Sequence, residues 1–491
     1  MPGHMTVQQQ FESGVSHHQA GRLAEAERIY RQVLAQQPNH ADALHMLGML
    51  AGQTGQLDAA EDLIRRAIRL KPDYAEAYNN LGNALKGKRR LDEAIAAYRQ
   101  AIALRPNFAE AHSNLGNSLR DKGQLDEAIA ACRRAIALRP NLAEAHSNLG
   151  NALRDKGQLD EAIAAYRQAI ALNPNYADDH HNLAIALLAR GDFQRGWEEY
   201  EWRWKCKDFP VPRRNFTQPQ WDGFPLEART ILLHTEQGFG DALQFIRYVP
   251  LVAQRGGRII VQCQAELERL FQTMADRCQI VASGQPLPAF DLYCPLLSLP
   301  RVFGTTLANL PHILPYLHAD AEEAKRWQHR LADYSPFVKV GLCWAGRPTH
   351  TNDRNRSMKL ARLAPLGQVS RVRFFSLQKG EAAAEGKTPP AGMELVDWTE
   401  ELKDFADTAA LIANLDLVIA VDTAVVHLAG AIGKPVWMLL SFVPDCRWLL
   451  EREDSPWYPS MRLFRQSSWG DWDSVITRVA DALSLWIKNR V

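Results

Sequence analysis

Two acidic turns in the second half of the sequence carry residue types that could do chemistry. Residues 235–241 read TEQGFGD, follow the apolar run ILLH and precede a helix-like pattern. Gly238 and Gly240 permit tight backbone geometry and the close approach of a ligand. Asp241 stands at the start of the helix, where a carboxylate is either an N-cap or a general base that points into a cleft.

The second turn lies within LDLVIAVDTAVVHLAGAIGKP, residues 415–435. An apolar strand ends at Asp422 and Thr423, and the N-terminal amides of the helix that follows favour phosphate oxygens. His427 lies one turn further along, within reach of a group bound there, although a histidine satisfied within its own helix is the alternative. The two turns together predict a phosphate-binding site near a carboxylate base.

Further basic and amide groups could neutralise a departing phosphate. Arg354 and Arg356 lie in WAGRPTHTNDRNRS, where solvated loop charges are the alternative, and Gln378 and Lys379 lie at a strand end in FFSLQKG. The one DxD sequence, DWD at 471–473, is interpreted as a helix start. We therefore expect no metal site and no cofactor.

The elements that must position these residues alternate between strand-like and helix-like runs. Apolar β-branched and aromatic runs of this kind predict parallel sheets buried on both faces, here as two doubly wound lobes across a cleft. We place the first lobe at 229–335 and the second, with a closing helix, at 336–491. Residues 209–228 contain four prolines and no helical period, which indicates a linker.

The first 208 residues carry an internal repeat. Proline recurs at 38, 72, 106, 140 and 174, and glycine recurs with the same period of 34 residues at 14, 48, 82, 116 and 150. Each unit predicts two helices joined by a tight turn. We count about five to six units, of which the last ends in WEEYEWRWK, an aromatic segment expected to cap the stack or dock it on the next domain.

One column of the repeat is not explained by packing. It consists of asparagines on the first helix of successive units, a helix that lines the inner face of such superhelices: Asn80, Asn114, Asn148 and Asn182. A row of amides there predicts a surface that hydrogen-bonds the backbone of an extended peptide. Neutral copying of a surface asparagine is the alternative.

Composition excludes several classes of protein. The 57 basic and 56 acidic residues nearly cancel, which gives no reason to expect nucleic acid or an anionic membrane as partner. The seven cysteines contain no CxxC pair, and this favours a reducing compartment. The N-terminus has no signal-like apolar core, and no apolar run of membrane-spanning length occurs. We expect a cytoplasmic location.

The repeat period and its columns resemble the tetratricopeptide repeat (TPR). The motifs QGFGD and DTAVVHLAGAIGKP resemble nucleotide-sugar glycosyltransferases of the lipopolysaccharide heptosyltransferase type, which have the GT-B fold. This resemblance implies that Asp241 deprotonates the acceptor, that Asp422 and Thr423 hold the donor, and that His427 lies near the donor phosphates. The arginine-rich loop departs from that family's usual lysine, which weakens any inference that the donor sugar is a heptose.

The whole chain is similar to bacterial TPR-containing protein O-glycosyltransferases, among which are flagellin glycosyltransferases. Comparable asparagine ladders, and a comparable glutamine and lysine near the diphosphate, are features of O-linked N-acetylglucosamine transferases. The expected fold is an all-α TPR solenoid followed by an α/β GT-B domain with two Rossmann-like lobes. The expected function is metal-independent, inverting transfer from a nucleotide sugar to Ser or Thr hydroxyls of a protein, with flagellin as a candidate acceptor.

Three other functions stay open on sequence alone. A non-enzymatic adaptor would keep the repeats and a retired transferase domain, and a glycan-acceptor enzyme would act on lipopolysaccharide. A sugar-nucleotide epimerase on the same fold gives no reason for the repeats. The sugar, the nucleotide base, the acceptor protein and the oligomeric state are not encoded in any motif that we recognise.

Overall fold

The computed structural model describes residues 5–209, 211, 213–350 and 352–490. Pro210 and Pro212 of the predicted linker, Thr351 of the arginine-rich loop, Val491 and the first four residues lie outside the described residues. The chain divides into two compact units, Met1–Leu183 and Ala184–Val491. This division comes earlier in the sequence than residue 208, where the pattern of repeats places the boundary.

The first unit is a series of helix pairs with the 34-residue period of the sequence. Within each pair the two helices make extensive contact, and each second helix also packs on the first helix of the next pair. Its helices are α1 (Val7–Gln19), α2 (Leu23–Gln36), α3 (Ala41–Gln53), α4 (Leu57–Leu70), α5 (Ala75–Gly87), α6 (Leu91–Leu104), α7 (Ala109–Asp121), α8 (Leu125–Leu138), α9 (Ala143–Asp155), α10 (Leu159–Leu172) and the first part of α11 (Ala177–Ala189).

A column of small residues sets how closely the two helices of a pair approach. A Cβ atom built on Gly82 would lie 2.5 Å from the ring of Tyr98, and one on Gly150 would lie 2.6 Å from the ring of Tyr166. Any side chain there would push the two helices apart, because interiors are packed too densely to absorb it. Glycine at this position is therefore required by packing.

The turn inside each pair requires a left-handed backbone. Gly55 has φ +78, Gly123 has φ +81 and Gly157 has φ +82, a region that glycine enters without steric cost. Arg89 occupies the equivalent position of the intervening repeat with φ 60. This arginine adopts a conformation that costs a residue with a Cβ atom about 1 kcal/mol.

The second unit begins with the end of α11 and a tryptophan-rich segment. Helix α12 (Phe193–Tyr200) and a 3₁₀ turn (Glu201–Lys205) carry this segment. Phe193, Trp197 and Tyr200 are buried in the same apolar core as Trp221 and Trp457. The aromatic cluster at the end of the repeats is thus built into the α/β unit.

The first lobe has a four-stranded parallel sheet in the order β3-β2-β1-β4. Its strands are short apolar runs that are buried toward their carboxyl ends, and helices connect the first strand to the second and the second to the third. The strands are β1 (Glu227–His234), β2 (Gly256–Cys263), β3 (Gln279–Ala282) and β4 (Leu292–Pro295), and the helices are α13 (Phe239–Phe245), α14 (Val249–Ala253), α15 (Ala265–Phe271) and α16 (Leu299–Val302).

The second lobe has a six-stranded parallel sheet in the order β10-β9-β8-β5-β6-β7. The closing helix, α21, buries Trp472, Val475 and Val479 in the core of this lobe. The strands are β5 (Val338–Cys343), β6 (Val372–Ser376), β7 (Leu395–Val396), β8 (Leu417–Val421), β9 (Val436–Leu440) and β10 (Met461–Arg465), and the helices are α17 (Ala321–Arg330), α18 (Asp353–Arg356), α19 (Phe405–Ala413), α20 (Ala424–Ala431) and α21 (Trp472–Lys488).

Each sheet has one point where the strand order reverses. In the first sheet it lies between β1 and β4, and in the second it lies between β5 and β8. Crevices at such points, outside the carboxyl ends of the strands, are where open α/β sheets bind ligands. The turn 235–241 follows β1 and the turn 422–423 follows β8, so both acidic turns lie at these points. The predicted fold class, a helical repeat solenoid followed by an α/β domain with two Rossmann-like lobes, is confirmed.

Candidate functional site

Asp241 caps its helix and also forms an ion pair. Its Oδ2 accepts the backbone N–H of Gly238 at 2.9 Å, which caps the start of α13. Its Oδ1 accepts a hydrogen bond from Nη2 of Arg447 at 2.8 Å. Because Asp241 belongs to the first lobe and Arg447 to the second, this ion pair joins the two lobes across their junction.

The two glycines before Asp241 have a different structural role from the one that the sequence suggested. Gly238 and Gly240 are absent from the residues with positive φ, so an unusual backbone conformation is not the reason for glycine there. A Cβ atom on Gly240 would lie 2.8 Å from Cδ2 of His427. The close approach at this position is therefore to helix α20 of the second lobe.

Arg447 is the centre of the charged cluster and was missed by the sequence analysis. It lies in the 3₁₀ turn Cys446–Trp448 after β9, and its Nε donates to Oδ1 of Asp445 at 2.8 Å. Burial alone would lower the pKa of Arg447, but the carboxylates of Asp445, Asp241 and Asp422 outweigh it and raise that pKa well above its ordinary value. Arg447 is a fixed cation in a partly dry site.

Asp422 is held on both its side chain and its backbone. Its Oδ2 accepts the indole N–H of Trp448 at 2.9 Å, and its carbonyl oxygen accepts Nη1 of Arg356 at 3.1 Å. Burial and the charge of Asp445 together raise the pKa of Asp422 to about 6, while Arg447 opposes both. Asp422 therefore changes charge near neutral pH.

Thr423 and His427 begin and line helix α20. Thr423 is the N-cap residue, although its side chain makes no capping hydrogen bond. His427 is 2% exposed, and its Nδ1 lies 3.0 Å from the hydroxyl of Tyr458. Burial, with help from Arg447 and Arg247, lowers the pKa of His427 well below its ordinary value. The imidazole is thus neutral and bonded within the lobe, and its place near the donor phosphates stays a prediction.

Gln378 and Lys379 are occupied with main-chain partners. The Oε1 of Gln378 accepts the backbone N–H groups of Trp344 at 3.0 Å and of Ala345 at 2.8 Å, and its Nε2 donates to the carbonyl oxygen of Ala345 at 3.0 Å. The Nζ of Lys379 donates to the carbonyl oxygen of Thr399 at 2.7 Å. These contacts hold the loop that follows β5 and the loop that follows β7. A role of either side chain at a diphosphate stays a prediction.

Arg354 and Arg356 lie on the short helix α18 and differ in surroundings. Arg356 bonds the carbonyl of Asp422 and pairs with Asp353 at 3.4 Å. Arg354 is exposed and lines a cavity of ≈ 230 Å³ at the carboxyl ends of β9 and β10. Other residues of that cavity are Asn355, Arg362, Ser441, Gln466 and Trp469.

The asparagine column of the first unit bonds from one repeat to the next. Nδ2 of Asn114 donates to Oδ1 of Asn79 at 3.0 Å, and Nδ2 of Asn148 donates to the hydroxyl of Ser113 at 3.0 Å. The other two members also bond to a neighbouring repeat, Asn80 to Nε2 of His45 at 2.8 Å and Asn182 to Arg154 at 3.1 Å. Part of each amide is therefore used to join repeats, a role that the sequence analysis did not anticipate.

The position of Arg447 explains why it was missed. It lies in the stretch SFVPDCRW, which has no glycine turn and no helical period. The signal that could have found it is location, because the stretch directly follows β9, and loops at the carboxyl ends of parallel strands line the binding crevice.

Two kinds of feature are absent from the described part of the chain. No group of three or more His, Cys, Asp or Glu side chains there is placed to hold a metal ion. Among the same residues, no helix has the length and apolar content needed to cross a membrane.

Comparison with known families follows the same division of the chain. Models of the tetratricopeptide repeat match residues 17–85, 79–143, 131–164 and 150–191. A model of glycosyltransferase family 9 (heptosyltransferase) matches residues 371–441, a stretch that holds Asp422 and His427 but begins after Asp241. The chain thus combines tetratricopeptide repeats with a glycosyltransferase family 9 region.

Individual proteins are similar over parts of the chain. Protein FlbA of Caulobacter vibrioides is 28% identical over 315 residues, which are 60% of this chain and 52% of FlbA. The chain therefore spans about half the length of this curated relative. Among solved structures, MamA is 29% identical with a TM-score of 0.30, over 35% of this chain and 97% of MamA. A thermophilic TPR protein of Thermus thermophilus is 26% identical with a TM-score of 0.34, over 37% of this chain and 100% of that protein.

Proposed function

We propose that this protein is a metal-independent, inverting glycosyltransferase that moves a sugar from a nucleotide sugar to Ser or Thr hydroxyls of a protein. One observation carries the proposal: the carboxylate of Asp241 and the guanidinium of Arg447 meet at 2.8 Å where the two lobes join. The first is a group that accepts a proton, and the second neutralises a leaving phosphate. The match of 371–441 to glycosyltransferase family 9 supports this assignment.

The proposed step is a single displacement. Asp241 accepts the proton of the acceptor hydroxyl while the hydroxyl oxygen attacks the anomeric carbon of the donor. The bond between that carbon and the phosphate oxygen breaks, and the nucleoside diphosphate leaves with the bonding electron pair. Attack from the face opposite the leaving group inverts the anomeric centre.

Arg447 changes partner in this scheme. Without a donor it holds Asp241, whose Oδ1 is then occupied by the guanidinium. A bound diphosphate competes for the guanidinium, since paired phosphate oxygens suit its planar donors. Asp241 is then released as a base at the moment when the leaving group is in place.

The remaining donor contacts come from the second lobe. Arg356 bonds the carbonyl of Asp422, and α20 begins two residues after Asp422, so we propose that Arg356 and the N-terminal amides of α20 contact the diphosphate. The cavity beside Arg354 is the proposed place of the nucleoside, and the 39%-exposed ring of Trp469 offers a stacking surface for its base. Thr423 contributes as the N-cap residue of that helix.

The repeats are the proposed acceptor-binding arm. The asparagine column keeps one role in holding repeats together, and we propose that its amide oxygens, of which those of Asn80 and Asn182 already accept one hydrogen bond each, also accept from the peptide backbone of the acceptor. A protein such as flagellin is the class of acceptor implied by the similarity to TPR-containing glycosyltransferases. We also propose a cytoplasmic location, because the cysteines, all of which are free, suit a reducing compartment.

A transfer assay on Asp241→Asn tests the proposal. The variant keeps the size of the side chain and an oxygen for the cap, but it has no carboxylate, so we expect transfer to fall by about 100-fold or more. The matched control is Asp320→Asn, which alters the N-cap of α17 without touching the site. Equal activity of wild type and Asp241→Asn, with unchanged melting temperature, would make Asp241 a helix cap and nothing more.

A further inference from the structure

A second arginine of the α/β unit is buried as deeply as any residue in the protein. Arg203 lies in the 3₁₀ turn that ends the tryptophan-rich segment, and its side chain is 0% exposed. It donates to Oε1 of Glu236 at 2.9 Å, to Oε1 of Glu201 at 2.7 Å and to the hydroxyl of Ser298 at 2.8 Å. None of these contacts is used in the proposed transfer step.

The partner of Arg203 belongs to the turn that carries Asp241. Glu236 is the second residue of TEQGFGD, and it is 4% exposed. The next residue, Gln237, donates its amide to the hydroxyl of Tyr200 at 2.9 Å, so two successive residues of the turn are tied to one segment. The turn then continues through Gly238 to Asp241, whose carboxylate accepts the N–H of Gly238.

Burying this ion pair is energetically unfavourable unless it is fully compensated. Burial raises the pKa of Glu236 to about 7, although Arg203 opposes the shift, and Oε2 of Glu236 has no hydrogen-bond partner within the protein. Apolar side chains of similar volume are often as stabilising as a buried ion pair. Stability alone therefore gives little reason for charge at this place, whereas a directional contact fixes the orientation of the turn.

We infer that Arg203 is a positioning residue for the proposed transferase: through Glu236 it fixes the turn 235–241 and thereby aims the carboxylate of Asp241. The structural part of this inference, that Arg203 fixes the turn, rests on the contacts alone. The catalytic part, that this aids transfer, rests on the proposed function. The segment that follows the repeats in the sequence thus supplies part of the catalytic geometry. Misplacement of a reacting group by about 1 Å costs on the order of 100-fold in rate, so loss of such a contact can lower the transfer rate strongly.

The first test measures the turn itself and needs no substrate. Hydrogen exchange of the full-length protein is followed by mass spectrometry in peptides that cover 235–245. In Arg203→Met we expect exchange there to accelerate by about tenfold or more, because local opening is no longer opposed by the ion pair, while peptides from β2 and β3 stay unchanged. A smaller change, or equal acceleration throughout the lobe, would overturn the inference.

Two matched controls separate the contact from general loss of stability. Ser298→Ala removes a partner of Arg203 without touching the turn, and Arg373→Met removes the ion pair with Glu394 in the second lobe. Neither is expected to change exchange in 235–245. Where Arg203→Met lowers the folded fraction, Glu236→Gln replaces it, since this nearly isosteric change removes the charge and keeps the shape.

The second test asks for the catalytic consequence. With the nucleotide sugar that supports turnover in the wild type, Arg203→Met and Glu236→Gln should lower kcat by about tenfold or more and leave the KM for the donor unchanged. Arg203→Lys should restore part of kcat, because it restores a cation opposite Glu236. Faster exchange in Arg203→Met, together with a wild type that transfers sugar from no nucleotide sugar, would retain the positioning contact and refute the proposed function. Unchanged kcat in both variants, with an active wild type, would refute the inference alone.

Discussion

The repeat unit and the α/β unit differ in how far apart in the sequence their interacting residues lie. In the repeats each residue is explained by a column, and the partner of a side chain lies in the same unit or one repeat away, as Tyr98 with Asn83 and Asn114 with Asn79 show. In the α/β unit the partners come from distant stretches: Asp241 and Arg447 are 206 residues apart. The periodic structure can thus be predicted from the sequence, whereas the residues of the site come together only when the chain folds.

The exceptions to each pattern are the informative residues. In the repeats they are positions where one copy departs from its column, and there the structure shows strain or an unsatisfied group. In the α/β unit the exceptions are charged side chains that are buried where the two lobes meet. A core does not need such charges for its stability. Substitutions at both kinds of exception test the comparison, and those at the junction should have the larger effects.

The largest effect is expected at Arg447. Arg447→Met removes the cation that we propose opposite the leaving phosphate, and we expect kcat for transfer to fall by about 100-fold or more, in the range seen when one transition-state donor is lost. Steady-state kinetics with the active donor measures this. Arg462→Met, which removes an exposed arginine paired with Glu453, is the control and should leave kcat unchanged. Comparable kcat values for wild type and Arg447→Met would place the leaving group elsewhere.

A smaller effect is expected from the buried carboxylate of Asp422. Its pKa is raised to about 6 in the fold, so between the unfolded pKa and pH 6 the folded state binds more protons than the unfolded state. Stability is therefore highest at the acid end of that window, and it falls by on the order of 2 kcal/mol as the pH rises through about 6. Asp422→Asn should lack this slope when urea denaturation is compared at about pH 4.5 and about pH 7, on either side of the folded pKa. A parallel slope in the variant would assign the proton to another group.

In the repeats, Cys132 interrupts a column of aromatic residues. Tyr98 and Tyr166 each donate a hydroxyl to the asparagine of their own repeat, Asn83 and Asn151, whereas Oδ1 of Asn117 is buried without a partner. Cys132→Tyr should supply that donor and stabilise the first unit by about 1 kcal/mol, as one net hydrogen bond does.

A double-mutant cycle isolates this effect. In an Asn117→Ala background the new hydroxyl has no acceptor, so Cys132→Tyr should stabilise less than in the wild-type background. The same gain in both backgrounds, measured by chemical denaturation, would mean that ring burial and not the hydrogen bond is responsible.

The smallest effect is expected at Arg89. Because its φ of 60 lies in the region that favours glycine, Arg89→Gly should stabilise the first unit by about 0.5–1 kcal/mol, read as a shift in the denaturation midpoint. The reverse substitution at the equivalent position of the next repeat, Gly123→Arg, should destabilise the first unit. Loss of stability in Arg89→Gly would show that the side chain makes a contribution larger than the strain.

The sequence alone predicted the fold well because both architectures leave local patterns. The 34-residue columns specify the helix pairs, and the apolar runs that end at His234 and Val421 specify strands of parallel sheets. It also predicted that both acidic turns follow strand ends. Each of these properties depends on residues close together in the chain.

The arrangement of the site was harder to predict, because it depends on residues that are far apart in the chain. The sequence placed Gln378 and Lys379 at a strand end, but it did not reveal their main-chain partners, which lie in the loops after β5 and β7. The sequence placed His427 one turn into its helix, but it did not reveal the close approach to Gly240 or the burial that keeps the imidazole neutral. Arg447 carries no motif and acquires its role only when β9 places it opposite Asp241.

Nucleotide binding tests the central claim most directly. UDP, GDP, ADP, CMP and dTDP are titrated calorimetrically, without magnesium, into the wild-type protein and into Arg447→Met. We predict that one nucleotide binds the wild type and that its affinity falls by about tenfold or more in the variant, the loss of a charge-assisted contact. Five flat titrations of the wild type, or equal affinities in the two proteins, would contradict this.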